Sequence, residues 1–279
     1  MRFPPPTRRR RIVLSIVAAL AVPGLAIYAS IEPRNDRDWS PDLAQLPVAT
    51  FDGANVLVRN VRNARYETTD EYTVAYEGRQ YDLNRLESVW YVVEPFAKMR
   101  GPAHTFVSFG FGNGEYVAIS AEIRRERGEH FSALGGLLKR YELTYVVADE
   151  RDVILLRTNF RHDQVYLYPV RTTLAQRQRL FRAMLERANA LREHPEFYNT
   201  LTNTCTTNIV HHVNAIAPRK VPFSFKVMFP GYSDELAYDL GLIDTELPFA
   251  AARERYHINA RAARYATDPA FSDRIRQPL

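Results

Sequence analysis

The chain has 279 residues, a formal net charge of +5 and a single cysteine. The charge is local: five of the 37 basic residues and none of the 32 acidic ones lie in residues 1–30, which leaves 32 of each sign in the remainder. A formally neutral body excludes the basic face that a nucleic-acid binder needs, and one cysteine excludes an internal disulfide.

The first segment reads as a targeting element. Arg2 and the run Arg8, Arg9, Arg10 and Arg11 precede residues 12–30, which are 19 residues without a charge. As a helix that is about the length that crosses the roughly 30 Å hydrocarbon layer of a bilayer. The string TRRRRIV also resembles, loosely, a twin-arginine export signal. The length of the apolar run favours a retained anchor over a cleaved signal peptide, and the positive flank places the residues after Ile31 outside the cytoplasm. Residues 1–30 are therefore expected to form a signal anchor, 31–49 a polar, proline-containing linker, and 50–279 one domain, since no linker, repeat or low-complexity tract divides it.

Strand-like composition follows at 55–61, 72–76 and 88–95. Residues 104–111 and 115–123 alternate around Gly112, Asn113 and Gly114, the pattern of a hairpin with a three-residue loop. Residues 132–141 read as a short helix, and 143–148, 152–157 and 164–170 as three further strands. A long helix is predicted over 174–192, because Leu180, Phe181, Met184, Leu185, Ala188 and Leu191 recur at i, i+3, i+4 spacing. Thr172 or Thr173 can cap its start, and Pro195 follows its end. Another helix begins near Cys205, with Ile209, Val210, Val213 and Ile216 on one face and Pro218 as its stop. Thr202, Asn203 and Thr204 all offer side chains suited to its N-cap. Helices at 233–240 and about 248–263 close the chain. Strands and helices without regular βαβ alternation indicate an α+β fold.

Within the hairpin, alternate residues share a face. His104, Phe106, Ser108 and Gly110 lie on one face of the first strand; Tyr116, Ala118, Ser120 and Glu122 form the mixed set of the second. The three-residue loop pairs Phe111 with Glu115, and continuing that register sets His104 opposite Glu122, at a Cβ separation of about 4.5–5.5 Å. Cys205 falls in the first turn of its helix, where free amides and the helix dipole favour a thiolate. A thiol nucleophile, an imidazole base and a carboxylate that orients the imidazole are the parts of an acyl-transfer site. Cys205 would attack, His104 would carry the proton and Glu122 would hold the tautomer. The Cys205 amide and Asn203 are the candidate oxyanion donors, with Ser108 and Ser120 as further substrate-binding candidates.

Each of these residues also has a plainer reading. Cys205 can be a small buried hydrophobe, His104 a strand-end histidine satisfied locally, and Glu122 a partner of Arg124 or Arg125. Ser108 lacks the G-x-S-x-G elbow of a serine hydrolase. Gly110, Gly112 and Gly114 lack the helix and Lys-Ser/Thr of a phosphate loop. His211 and His212 are adjacent and face different sides of a helix, so no metal site and no cofactor is expected.

The blocks AHTFVSFGF, AISAEIRRERGEHFSALGGLLKRYELTYVVADERDVILLR, VYLYPV and PEFYNTLTNTCTTNI, with DELAYDLGLID and ARERYHINARA in the tail, resemble the Lnb N-terminal periplasmic domain family over most of 50–265. That family is named for a bacterial lipoprotein N-acyltransferase that carries this domain beside a multi-helix membrane core. The resemblance implies an α+β, permuted papain-like (NlpC-like) fold, similar to the lecithin:retinol acyltransferase kind: an antiparallel sheet packed against helices, here preceded by an N-terminal membrane helix. It also implies a Cys–His–acid site carried by Cys205, His104 and Glu122, and it leaves Arg124 as either structural or the binder of an anionic group. One membrane segment in place of a multi-helix core separates this chain from the name-giving enzyme. The expected protein is a single-pass inner-membrane thiol acyltransferase or hydrolase whose domain faces the periplasm. Its expected substrate is a membrane lipid, a lipoprotein or a peptide, and an inner-membrane protein is a candidate partner. A cysteine amidase or peptidase of the cell envelope and a non-catalytic envelope binding module are the other two readings.

Overall fold

The computed structural model describes residues 8–96 and 100–277, and for residues 11–13, 16, 18 and 20 the backbone alone. Its strands are β1 (Val48–Asp52), β2 (Asn55–Tyr66), β3 (Tyr72–Asp82), β4 (Ser88–Pro95), β5 (Ala103–Gly110), β6 (Tyr116–Arg124), β7 (Glu142–Asp149) and β8 (Tyr166–Pro169). They form one eight-stranded sheet in the order β1-β2-β7-β6-β5-β4-β8, with β3 on β2. All pairings are antiparallel except the contact of β2 with β7, at Arg62 and Ala148. The helices are α1 (Arg8–Ser30), α2 (Ala133–Leu137), α3 (Glu150–Leu155), α4 (Leu174–Glu193), α5 (Cys205–Ile216), α6 (Phe225–Met228), α7 (Ser233–Asp239), α8 (Phe249–Arg255), α9 (Asn259–Arg264) and α10 (Phe271–Arg274). The arrangement is a mixed α+β fold.

Helices cover both faces of the sheet, and the period-2 alternation of the strands decides which residues face which layer. Val107 and Phe109 of β5 join the core built with Leu180, Phe181, Met184 and Leu185 of α4 and Ile209 of α5. Phe106 of β5 and Ala118 of β6 point the other way, against Val153 and Ile154 of α3, Ala262 of α9 and Phe271 of α10. The second face is as dry as the first: Phe106 and Phe109 are both fully buried. Among aromatic residues Phe181 is the keystone, with its ring edge-on to Tyr81, Phe109 and Phe111 at 5.6, 5.0 and 5.2 Å.

The hairpin has the register that its loop dictates. The Phe111 amide donates to the Glu115 carbonyl, and Val107 pairs with Ile119 and Gly110 with Tyr116. Gly112, Asn113 and Gly114 all hold positive φ, at 70°, 55° and 73°, a run that only glycine and asparagine adopt at low cost.

Two expectations are corrected. Residues 152–157, read as a strand from their β-branched and leucine content, belong to α3 and a following π-helical turn, Leu156–Phe160. The Asp149 carboxylate accepts the Arg151 amide at the helix start, and Asp152 turns inward to grip the Arg62 guanidinium in a two-pronged pair at 2.9 Å. N-capping and a buried ion pair override strand propensity here. The tail helix expected near 248–263 is two helices, because Ile258 donates its amide to Val165 and His257 bridges Tyr166, extending the sheet edge between α8 and α9.

The stretch expected as a linker is strapped to the domain. Trp39, Ser40 and Leu43 are buried, and β1 begins at Val48. α1 is helical as the sequence suggests, and its last turn docks on the domain: the Tyr28 hydroxyl donates to the Leu137 carbonyl at 3.0 Å, and Lys139 donates to the Tyr28 carbonyl at 3.0 Å. Among the described residues no helix is long and apolar enough to cross a membrane; several side chains of the expected span fall outside them.

Truncating the keystone tests the core directly. Phe181→Ala is expected to lower unfolding free energy by about 3–5 kcal/mol, measured by urea denaturation. A loss below about 1 kcal/mol would contradict the packing described.

Candidate active site

Cys205 is the first residue of α5. Thr204 caps the helix through a reciprocal pair with Thr207: its hydroxyl accepts the Thr207 amide, and the Thr207 hydroxyl accepts the Thr204 amide. The cap leaves the Cys205 and Thr206 amides in the first turn without an intrahelical acceptor. α5 lies against β5, where the Thr105 and Thr206 hydroxyls meet at 2.9 Å.

His104 is the second residue of β5. The β5–β6 pairing ends at Val107 and Ile119, so the strands open around the imidazole. Its Nε2 lies 2.7 Å from Ser120 Oγ and 3.5 Å from Glu122 Oε1. The ring stacks on Phe106 at 5.8 Å. With Nε2 engaged, Nδ1 is the nitrogen left to face the thiol, and the charges of Cys205 and His104 act on each other.

The electrostatics of this pair follow from burial and partners. Cys205 is 5% exposed. Burial pushes its thiol pKa up, but the charge and hydrogen bond of His104, with hydrogen bonds from the Thr105 side chain and backbone, bring it down to about 7. Burial likewise opposes the imidazolium, yet the Cys205 charge and hydrogen bond and the Glu122 hydrogen bond raise His104 to about 9. Each charge thus favours the other, which shifts the pair toward thiolate and imidazolium.

Behind the imidazole lies a chain of buried charge. Burial would raise the Glu122 carboxyl, but His104, Arg157 and Arg62 hold it well below the ordinary carboxylate range. Arg157 bridges Glu122, at 3.2 Å, to the fully buried Glu94, and its guanidinium lies 4.9 Å over the Phe106 ring. Burial pushes the Glu94 carboxyl upward.

The remaining sequence candidates are placed elsewhere. Asn203 is engaged elsewhere: its side-chain amide donates to the Phe197 carbonyl at 3.0 Å and to Glu196 at 3.5 Å, and its carbonyl oxygen accepts from Asn208 at 2.9 Å. It shapes the loop before Cys205 and has no donor left for an oxyanion. Ser108 donates to the buried Glu150, which Arg276 also grips. Arg124 is structural: its guanidinium donates to the Leu43 and Ala44 carbonyls and to Asn35, and it stacks on Trp39 at 4.2 Å. Burial lowers its pKa to about 10. Glu122 pairs with His104 and Arg157 rather than with Arg124 or Arg125. His212 is a buried partner of the Tyr145 hydroxyl at 2.8 Å, and burial lowers its pKa to about 4.

Some neighbours of the thiol had no sequence signal of their own. Tyr91 and Tyr198 stand close enough that the Cys205 charge adds to the burial that raises both phenols. Thr105, the residue after His104, was legible only as the opposite face of the strand.

The family model of the Lnb N-terminal periplasmic domain matches residues 72–231. The chain belongs to this family. The match runs from the start of β3 to the turn before α7, so it contains His104, Ser120, Glu122 and Cys205 and leaves out α1, β1, β2 and the last helices. The Lnb N-terminal periplasmic domain is thus the part of the chain that holds the thiol–imidazole pair. No curated protein and no solved structure matches the chain.

Cys205 alkylation by iodoacetamide, followed by intact mass, is expected to rise through pH about 7 and level off above it, since only the thiolate reacts. In His104→Ala the imidazolium is gone and burial remains, so the midpoint moves up by about one unit or more, to or above the ordinary thiol range. An unchanged midpoint would show that the imidazole does not control the thiol.

Proposed function

We propose that this chain is a periplasm-facing, membrane-anchored thiol enzyme of acyl transfer, with Cys205 as nucleophile and His104 as general base and acid. The observation that carries the reading is the seating of the Cys205 helix start on the strand of His104, where the Thr206 and Thr105 hydroxyls meet at 2.9 Å, with the imidazole Nε2 held by Ser120 and Glu122. The thiolate attacks a carbonyl and forms a thioester as the bond to the leaving group breaks; the imidazolium protonates that group. Water or an amine then takes the acyl group while His104 removes its proton. The Cys205 amide faces the developing oxyanion. Ser120 and Glu122 are positioning residues that fix the ring and stabilise its charge.

A permuted papain-like architecture, with the histidine strand ahead of the cysteine helix, accords with this order of residues in the chain. Family membership supports a periplasmic address. The arginine cluster and the uncharged run that follows it support a single-pass anchor in the inner membrane. Lipoprotein N-acylation, or related processing of envelope lipids or peptides, is the process into which such a domain fits.

Incubation of the purified chain with p-nitrophenyl acetate, read by intact mass, should give one acetyl adduct on Cys205. Cys205→Ala should give none, and His104→Ala should slow its formation about a hundredfold or more. An adduct of equal yield in Cys205→Ala would reject the mechanism.

The positioning residues differ in distance and charge, which orders their effects. Glu122→Gln is expected to lower kcat more than Ser120→Ala, because only the former removes a charge that stabilises the imidazolium. It should also shift the upper limb of the pH–rate profile downward, since His104 then loses its proton at lower pH. A kcat loss with an unmoved profile would assign Glu122 a purely structural role.

A further inference from the structure

An open recess lies between the segment that follows α1, the strands β2 and β6, and the end of α4. Its volume of about 610 Å³ falls within the roughly 300–1,000 Å³ of small-molecule sites. Three arginines line it, Arg59, Arg124 and Arg192, together with the side-chain amides of Asn35, Gln45 and Asn60. Among the described residues no carboxylate lines it. Most of the recess lies outside the family match; of the residues just named only Arg124 and Arg192 fall within 72–231.

A bulge in β2 builds one wall. The β2–β3 register shifts between Val58 and Val61, and Asn60 takes a φ of 62°, which asparagine tolerates better than most residues. The Asn60 side chain donates to the Leu46 carbonyl at 2.9 Å and so ties the segment before β1 to the strand. Arg124 is the buried member. Its contacts with Leu43, Asn35 and Ala44 use one N–H of each nitrogen, so each terminal nitrogen keeps a second N–H. The contacts that make Arg124 a strut leave its charge unanswered: among the described residues it has no ion pair, and Glu142, whose charge reaches it, is paired with Arg37 at 3.0 Å. The exposed guanidinium groups of Arg59 and Arg192 also lack an ion pair among the described residues. Asn35 donates to the Leu191 and Arg192 carbonyls, which satisfies groups that would otherwise turn the negative end of α4 toward the recess.

Three positive charges from three elements thus share one concavity, and burial works against one of them. An anion seated there would be favoured by all three. A carboxylate offers two oxygens in one plane. A phosphate monoester carries up to two negative charges and three terminal oxygens. Guanidinium groups arriving from β2, β6 and α4 can each meet a different one. We propose that this recess binds the phosphate monoester group of a small anionic ligand through Arg59, Arg124 and Arg192. The site is independent of the chemistry at Cys205.

The full-length protein in neutral detergent would be titrated by calorimetry with glycerol 3-phosphate and with dihexanoyl phosphatidic acid, which carry the same group on a soluble and on a lipid frame. At least one should bind saturably, and Arg59→Gln combined with Arg192→Gln should weaken it about tenfold or more. Both side chains are exposed, so the double variant should keep the urea midpoint of the parent. Arg179→Gln removes the same charge from an exposed position of α4 outside the recess and should change affinity less than about twofold. Binding of glycerol 3-phosphate supports a soluble ligand, and binding of the phosphatidic acid alone supports a lipid headgroup. Absence of saturable binding by either, equal affinity in the double variant, an equal loss in Arg179→Gln, or equally tight binding of the diester dihexanoyl phosphatidylglycerol overturns the proposal.

Discussion

A buried thiol is normally a neutral thiol, because a low-dielectric surrounding penalises the anion. Everything particular to this site works against that penalty. His104 supplies a neighbouring positive charge, Thr105 adds polar groups that favour the anion, and the first turn of α5 contributes amides and the positive end of its dipole. The imidazolium is itself buried and needs its own counter-charge. Glu122 provides it, and Glu122 is in turn held ionised by Arg157, which Glu94 balances from β4. Removing one member of such a chain leaves another charge uncompensated, which costs more than the intact pairing gains. The thiolate at one end thus depends on groups as far back as β4 and the π-helical turn after α3.

The fold makes that chain of contacts out of residues distant in sequence. His104 and Glu122 meet because a tight loop fixes the register of β5 and β6. Glu94 faces His104 across β4 and β5. Arg157 arrives from the layer on one face of the sheet, whereas Cys205 arrives with α5 from the other. The site sits where the β5–β6 ladder ends, so groups from both layers can reach one imidazole. Strand pairing elsewhere would have shielded the ring from the thiol.

What the sequence made legible follows from how local each interaction is. The hairpin register was readable because Gly112, Asn113 and Gly114 specify one loop length, and the helix start at Cys205 because the cap-forming run Thr202, Asn203 and Thr204 precedes it. The contact of Glu122 with His104 followed from the first of these. Arg157 and Glu94 were not readable as members of the site: one lies in a segment whose composition imitates a strand, and their pairing spans 63 residues. Asn203 misled for a related reason. Its type suits both an N-cap and an oxyanion donor, but Thr204 is the cap, and Asn203 is consumed by Phe197 and Asn208.

The same reasoning connects the thiol to the N-terminal helix. α1 ends against α2 through Tyr28 and Leu137, and α2 is tied to the loop before Cys205 by the Thr200 hydroxyl, which donates to the Ala133 carbonyl at 2.7 Å. Phe131, Leu134, Leu138 and Leu201, all in this neighbourhood, expose large apolar side chains. These side chains gather at the corner of the domain on which the last turn of α1 docks. Cys205 stands one short loop away, so the contacts that seat α1 and those that seat the start of α5 share the segment 199–204.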